Sequence, residues 1–117
     1  MASARAAQER GYDAHVLPDY SVQVDMKRRC TEVSTGFCKI LGYEREELIG
    51  KRIDEITASR TNNVSVIFDL LLKNRYMHGI WIFLNRSGSA KILVRYEARL
   101  VSAFRIECTM ELIGAGA

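Results

Sequence analysis

The chain has 117 residues, 48% hydrophobic and 26% charged, a balance typical of a globular domain and foreign to disordered or fibrous chains. That length suits one domain, able to bury roughly two thirds of its unfolded surface. The net charge of +3 is too small for the surface field to argue for nucleic acid, and no apolar run reaches the roughly 18 residues that a membrane-spanning helix needs.

Residues 1–19 read as a flanking segment. Met1 to Arg10 has helix-forming composition but only a thin apolar face, which fits either a cap helix or a frayed end. Gly11 and Pro18 punctuate the next segment, with Tyr12, Val16 and Leu17 as the apolar anchors. From Tyr20 to Asp25 the chain alternates, setting Tyr20, Val22 and Val24 against Ser21, Gln23 and Asp25, the period of a half-buried strand. Met26 to Arg29 turns the chain, and Cys30 to Val33 returns as a short second strand. Lys27, Arg28 and Arg29 form the densest positive cluster; the expected role is an exposed turn kept soluble by charge, with a phosphate or acidic-partner contact as the alternative.

Four helices come next. Ser34 or Thr35 can cap the first, whose apolar positions Phe37, Ile40 and Leu41 stop at Gly42, a left-handed C-terminal position. Glu44, Glu46 and Glu47 open the second, suited to its N-terminal dipole, with Leu48 and Ile49 on its buried side and Gly50-Lys51-Arg52 closing it. Ile53 and Ile56 predict a single-turn third helix. After an irregular stretch, Asn62 or Asn63 caps the longest helix, about Val64 to Tyr76, with Val64, Ile67, Phe68 and Leu71 as one stripe.

Three strands close the chain. Ile80 to Leu84 is apolar throughout, so both faces need cover; alternation places Ile80, Ile82 and Leu84 on one side and Trp81 and Phe83 on the other. Beyond the Ser87-Gly88 turn, Ile92, Val94, Tyr96, Ala98 and Leu100 alternate with Lys91, Leu93, Arg95, Glu97 and Arg99. Phe104, Ile106, Cys108, Met110 and Leu112 do the same, and residues 114–117 read as a disordered tail. Two strands and four helices followed by three strands predict an α+β fold: a five-stranded antiparallel sheet with short helices and one longer helix packed on one face, over residues 20–113.

The stretch Phe37 to Lys51, FCKILGYEREELIGK, resembles the signature of PAS sensor domains, in which F-x-x-x-L-G-Y precedes an E-E-L-I-G helix. Asn85-Arg86-Ser87-Gly88-Ser89 resembles the family's K-D-G-S hairpin turn, at about the family's spacing. The likeness covers about Tyr20 to Leu112. It implies that residues 1–19 fold across the outer face of the sheet or pair with a second subunit. The sequence departs from the family in three places. The turn at Lys27 to Arg29 lacks the usual glycine, which implies a longer or looser loop; Ser34 stands where Asn is usual; and the D-I-T motif that starts the output helix is missing, Thr109-Met110-Glu111 standing there instead.

Enzyme chemistry finds no support: there is no phosphate loop, no nucleophile elbow, and neither His15 nor His78 has metal-site spacing. Cys30, Cys38 and Cys108 read as free buried thiols, and the N-terminus lacks the layout of a secretory signal, so a cytoplasmic location is expected. No cofactor is expected. The light-sensing flavin subfamily carries N-C-R-F-L where this chain has Ile56 to Asn62 without a cysteine, and the long helix lacks the axial histidine of haem PAS domains.

The resemblance then implies a sensory or signal-relaying module with a small apolar ligand or none. Phe37, Leu41, Ile53, Ile67, Phe68, Leu71, Ile82, Val94, Tyr96, Ile106, Cys108 and Met110 are the candidate cavity wall, and all of them also read as plain core. Tyr96 and Cys108 are its polar handles. Trp81, Phe83 and Leu93, with Tyr12, Val16 and Leu17, are the candidate homodimer interface. Partners implied are a second copy and an effector in cis or trans, such as a histidine kinase, a cyclic-nucleotide enzyme or a transcription factor, with neither nucleic acid nor membrane. Homodimerisation without a ligand is the alternative.

Overall fold

The structure is a computed structural model that describes residues 20–58 and 63–116. Expectations for residues 1–19, including Tyr12, His15, Val16 and Leu17, lie outside the described residues. In chain order the elements are β1 (Ser21–Val24), β2 (Cys30–Val33), α1 (Thr35–Leu41), α2 (Arg45–Leu48), α3 (Ile53–Ile56), α4 (Val64–Asn74), β3 (Tyr76–Leu84), β4 (Lys91–Ser102) and β5 (Arg105–Gly116). The strands form one five-stranded sheet in the order β2-β1-β5-β4-β3, every neighbouring pair antiparallel. The first and last strands of the described chain thus meet mid-sheet, and the helical segment crosses one face from the β2 edge to the β3 edge.

Local chemistry sets each helix. The buried Ser34 side chain accepts hydrogen bonds from the N–H of Phe37 at 3.2 Å and of Ser21 at 3.0 Å, so the cap of α1 is also a tie to β1. Gly42, at φ 81°, ends α1 in the left-handed conformation that glycine reaches without steric cost. The Glu47 carboxylate reaches back to the Glu44 N–H at 2.9 Å to open α2. The aromatic residues Phe37 and Phe83 meet edge to face at 5.2 Å, joining α1 to the sheet, and Leu41, Leu48 and Ile56 are wholly buried over it.

Several expectations are corrected. The turn before β2 is tight, not loose: the Asp25 carboxylate accepts from the N–H groups of Lys27 at 2.8 Å and Arg29 at 2.9 Å, and Arg28 takes the left-handed conformation at φ 66° in place of a glycine. Helix α4 ends at Asn74, with Arg75 left-handed beyond it, and β3 starts at Tyr76, four residues before Ile80. Trp81 and Phe83 face the helices, 7% and 3% exposed, while Ile80 is 46% exposed and Ile82 lies with it on the outer face. Register is the reason: Trp81 pairs with Val94 and Phe83 with Ile92, and directly opposed residues in an antiparallel pair share a face. Phe104 sits in the β4–β5 turn, 77% exposed, and Leu112 is also exposed. Strand β5 runs on past a bulge, so Gly114, Ala115 and Gly116, expected as a tail, pair with Leu93, Ile92 and Lys91.

Candidate functional site

Between α4 and the sheet lies a cavity of about 70 Å³. Its roof is α4, started by Asn63, whose side chain accepts from the Val66 N–H at 3.3 Å. Spacing along the helix turns Val64, Ile67, Phe68 and Leu71 toward the sheet, and all four line the cavity, Leu71 buried and the other three half-buried. The floor comes from Val22 and Val24 of β1, Ile106 and Cys108 of β5, Tyr96 and Ala98 of β4, and Met77, Trp81 and Phe83 of β3, with Ile53 of α3 at one side. Every atom exposed to the space is apolar.

The aromatic wall is fixed from behind. Trp81 packs edge to face on Tyr96 at 5.4 Å, and its indole N–H donates to the Thr57 hydroxyl at 3.0 Å. Thr57 in turn donates to the Ile53 carbonyl at 2.8 Å, so the end of α3 is stitched to β3. Gly79 lies opposite Tyr96, whose ring passes 3.5 Å from where a β-carbon would sit, an ordinary van der Waals distance. The Tyr96 hydroxyl finds no hydrogen-bond partner among the described residues, and burial raises its pKa. Burial likewise pushes the Cys108 thiol up to about 12, so it lines the cavity as a neutral, weakly polar group.

At the rim stands Arg28. Its Nε and Nη2 donate to the two oxygens of Asp54 at 2.9 and 3.0 Å, and the guanidinium carbon lies 5.4 Å from the Phe68 ring centroid. Hydrogen bonding to Arg28 holds the Asp54 carboxyl below the usual carboxylate value. One residue of the β1–β2 turn thus touches both α3 and α4 across the mouth of the cavity.

The family model described as PAS fold matches residues 8–89. The chain belongs to the PAS family. Solved PAS domains share the fold: that of an HTR-like protein from Haloarcula marismortui superposes with a TM-score of 0.67 at 20% identity, covering 80% of each chain. The PAS domain of a two-component sensor histidine kinase gives 0.67 at 14% identity, over 80% of this chain and 83% of that one. The light-state structure of the blue-light photoreceptor Aureochrome1 LOV gives 0.70 at 13% identity, over 83% of both. Comparison with curated protein sequences found no match.

Within this PAS domain, Ile53, Ile67, Phe68, Leu71, Tyr96, Ile106 and Cys108 of the expected wall do line the cavity. Phe37, Leu41 and Val94 are buried in core that does not border it, Met110 is half-buried beside that core, and Ile82 is on the opposite face. Val22, Val24, Arg28, Val64, Met77, Trp81, Phe83 and Ala98 complete the lining without having been expected there. The valines were legible as the inward side of β1. Arg28 was not, since its partner is 26 residues away and its neighbours Lys27 and Arg29 are exposed.

Of the interface expected on the sheet, Trp81 and Phe83 belong to the core and Leu93 remains on the outer face, half-buried, where Val101 is 48% exposed. His78 is exposed, its ring 5.8 Å from that of Tyr76. Among the described residues no cluster of His, Cys, Asp or Glu is arranged to hold a metal ion, and no helix is long and apolar enough to cross a membrane.

Proposed function

We propose that this PAS domain is the sensory input of a signalling protein and that the signal enters through the cavity beneath α4. The observation that carries this reading is the incomplete seating of α4, whose inward residues Val64, Ile67 and Phe68 border empty space where a filled core would give them partners. An occupant supplies those partners. It shifts the helix only as far as it binds one packing arrangement better than another. The altered packing would pass across the sheet to an effector, with a histidine kinase, a cyclic-nucleotide enzyme and a transcription factor as the candidate classes, inside a cytoplasmic protein. The occupant is read as a small molecule held without metal or photochemistry: no histidine lines the cavity among the described residues, and its one thiol, Cys108, is held neutral on β5.

Native mass spectrometry of the purified chain, combined with amide hydrogen exchange before and after mild stripping, tests the proposal. A co-purified molecule whose removal speeds exchange along α4 supports it. Equal exchange in stripped and unstripped protein contradicts it.

A second reading, homodimerisation through the outer face of the sheet, draws on Leu93 and the exposed Val101 on outward positions of β4. Leu93→Glu leaves the core untouched and should abolish self-association in sedimentation velocity; an unchanged profile removes this reading.

A further inference from the structure

We propose that the cavity takes a small, uncharged, apolar molecule, and that Arg28, held by Asp54, is the door through which it passes. The inference rests on the reading of the cavity as the sensory input and specifies what that input accepts. Every wall atom exposed to the space is apolar, so an ion entering it would lose its hydration and gain no partner. The one charged residue at the rim offers no remedy. Arg28 spends one edge of its guanidinium on both oxygens of Asp54, which Arg52 also meets at 3.5 Å, so an anion would have to displace that carboxylate to reach the guanidinium edge.

Size narrows the class further. The cavity, about 70 Å³, is roughly half of the ~150 Å³ apolar void that stays dry and admits benzene or xenon, so a handful of heavy atoms is the limit. The Tyr96 hydroxyl, buried and unpartnered among the described residues, borders the wall without opening onto the space.

The way in is set by what holds each side. The floor is a hydrogen-bonded sheet, and the α3 side is stitched to β3 through Thr57 and Trp81. At the Arg28 rim the closure among the described residues is the Arg28–Asp54 ion pair, with side-chain exposures of 19% and 36%, Asp54 also reaching Arg52 at 3.5 Å, and one cation–π contact on Phe68. A partly exposed pair of this kind is weak in water. Arg28 also sits in a left-handed backbone conformation that non-glycine residues seldom adopt. Swinging its side chain outward uncovers the cavity without disturbing the sheet.

The test uses the full chain with methyl labelling, titrated with xenon as neutral probe and acetate as a small anion, and repeated on Asp54→Asn and Arg28→Met. Xenon is expected to shift the methyl signals of Ile53, Ile67 and Val22, acetate to leave them unmoved, and both variants to exchange xenon about two- to fivefold faster with nearly unchanged affinity. Lining methyls that respond to acetate would overturn the neutral class, and exchange rates in both variants equal to the wild-type rate would overturn the door. A folded protein in which xenon moves nothing would refute the site as described. A large or charged co-purified molecule, by contrast, would sink only the ligand class and leave the cavity as the input.

Discussion

Replacing Ala98 by Val should make the protein more stable, although it enlarges a residue that is only 6% exposed. Ala98 sits on β4 between Met77 of β3 and Cys108 of β5, and all three face the cavity. A void of about 70 Å³, at the roughly 24 cal/mol per Å³ that unfilled core volume costs, carries a penalty of about 1.7 kcal/mol. Two added methyl groups fill part of it, and a β-branched side chain suits a strand, so a gain of about 1 kcal/mol is expected. In urea unfolding, with a slope of about 2 kcal/mol per M for a domain of this size, the midpoint should rise by about 0.5 M. The same variant should lose the xenon response. A destabilisation of about 1 kcal/mol or more would be the signature of overpacking, and would mean that the space between Ala98 and α4 is already occupied by side chains.

Tyr96→Phe removes a buried hydroxyl that lacks a partner among the described residues; a gain of about 1 kcal/mol is expected, read as a rise of about 4 °C in the thermal midpoint, and a lower midpoint would show that the hydroxyl is bonded. Ser34→Ala leaves the N–H groups of Phe37 and Ser21 without their shared acceptor in a buried corner and should cost about 2 kcal/mol by chemical denaturation, whereas a loss under about 0.5 kcal/mol would show the cap to be dispensable. The Asp54 carboxyl is lowered in the folded state, so its contribution is complete above the unfolded value and is lost as pH falls through the folded one. Wild-type protein should therefore lose stability relative to Asp54→Asn below about pH 4, by no more than about 1 kcal/mol for a pair this exposed, and parallel acid limbs in the two proteins would show that Arg28 gains nothing from Asp54.

What the sequence made legible was whatever is decided within a few residues. The breaks around Gly42, the acidic start of α2 and the stripe on α4 each depend on local caps and a 3.6-residue period, and all three stand in the structure. The fold class comes from them, together with the alternation of β4. The face presented by β3 could not be read the same way, because five apolar residues in a row alternate equally well in either sense. Only the pairing of Trp81 with Val94, a partner beyond a hairpin, settles that the aromatics point inward. The cavity itself was half legible: Ile67, Phe68 and Tyr96 look like core in a sequence whether or not a void lies beside them, since packing density is a property of the assembled layers. Arg28 escaped for a further reason. A basic residue between two others reads as solvent-facing until the fold sets Asp54 and Phe68 across from it.

The most direct test of the cavity is a crystal structure determined under xenon pressure. A single xenon site is expected, enclosed by Ile67, Trp81, Ala98 and Ile106, with α4 closer to the sheet side chains it now spans across. Continuous side-chain density through that region, with no xenon between α4 and β4, would contradict a sensory void at this place in the fold.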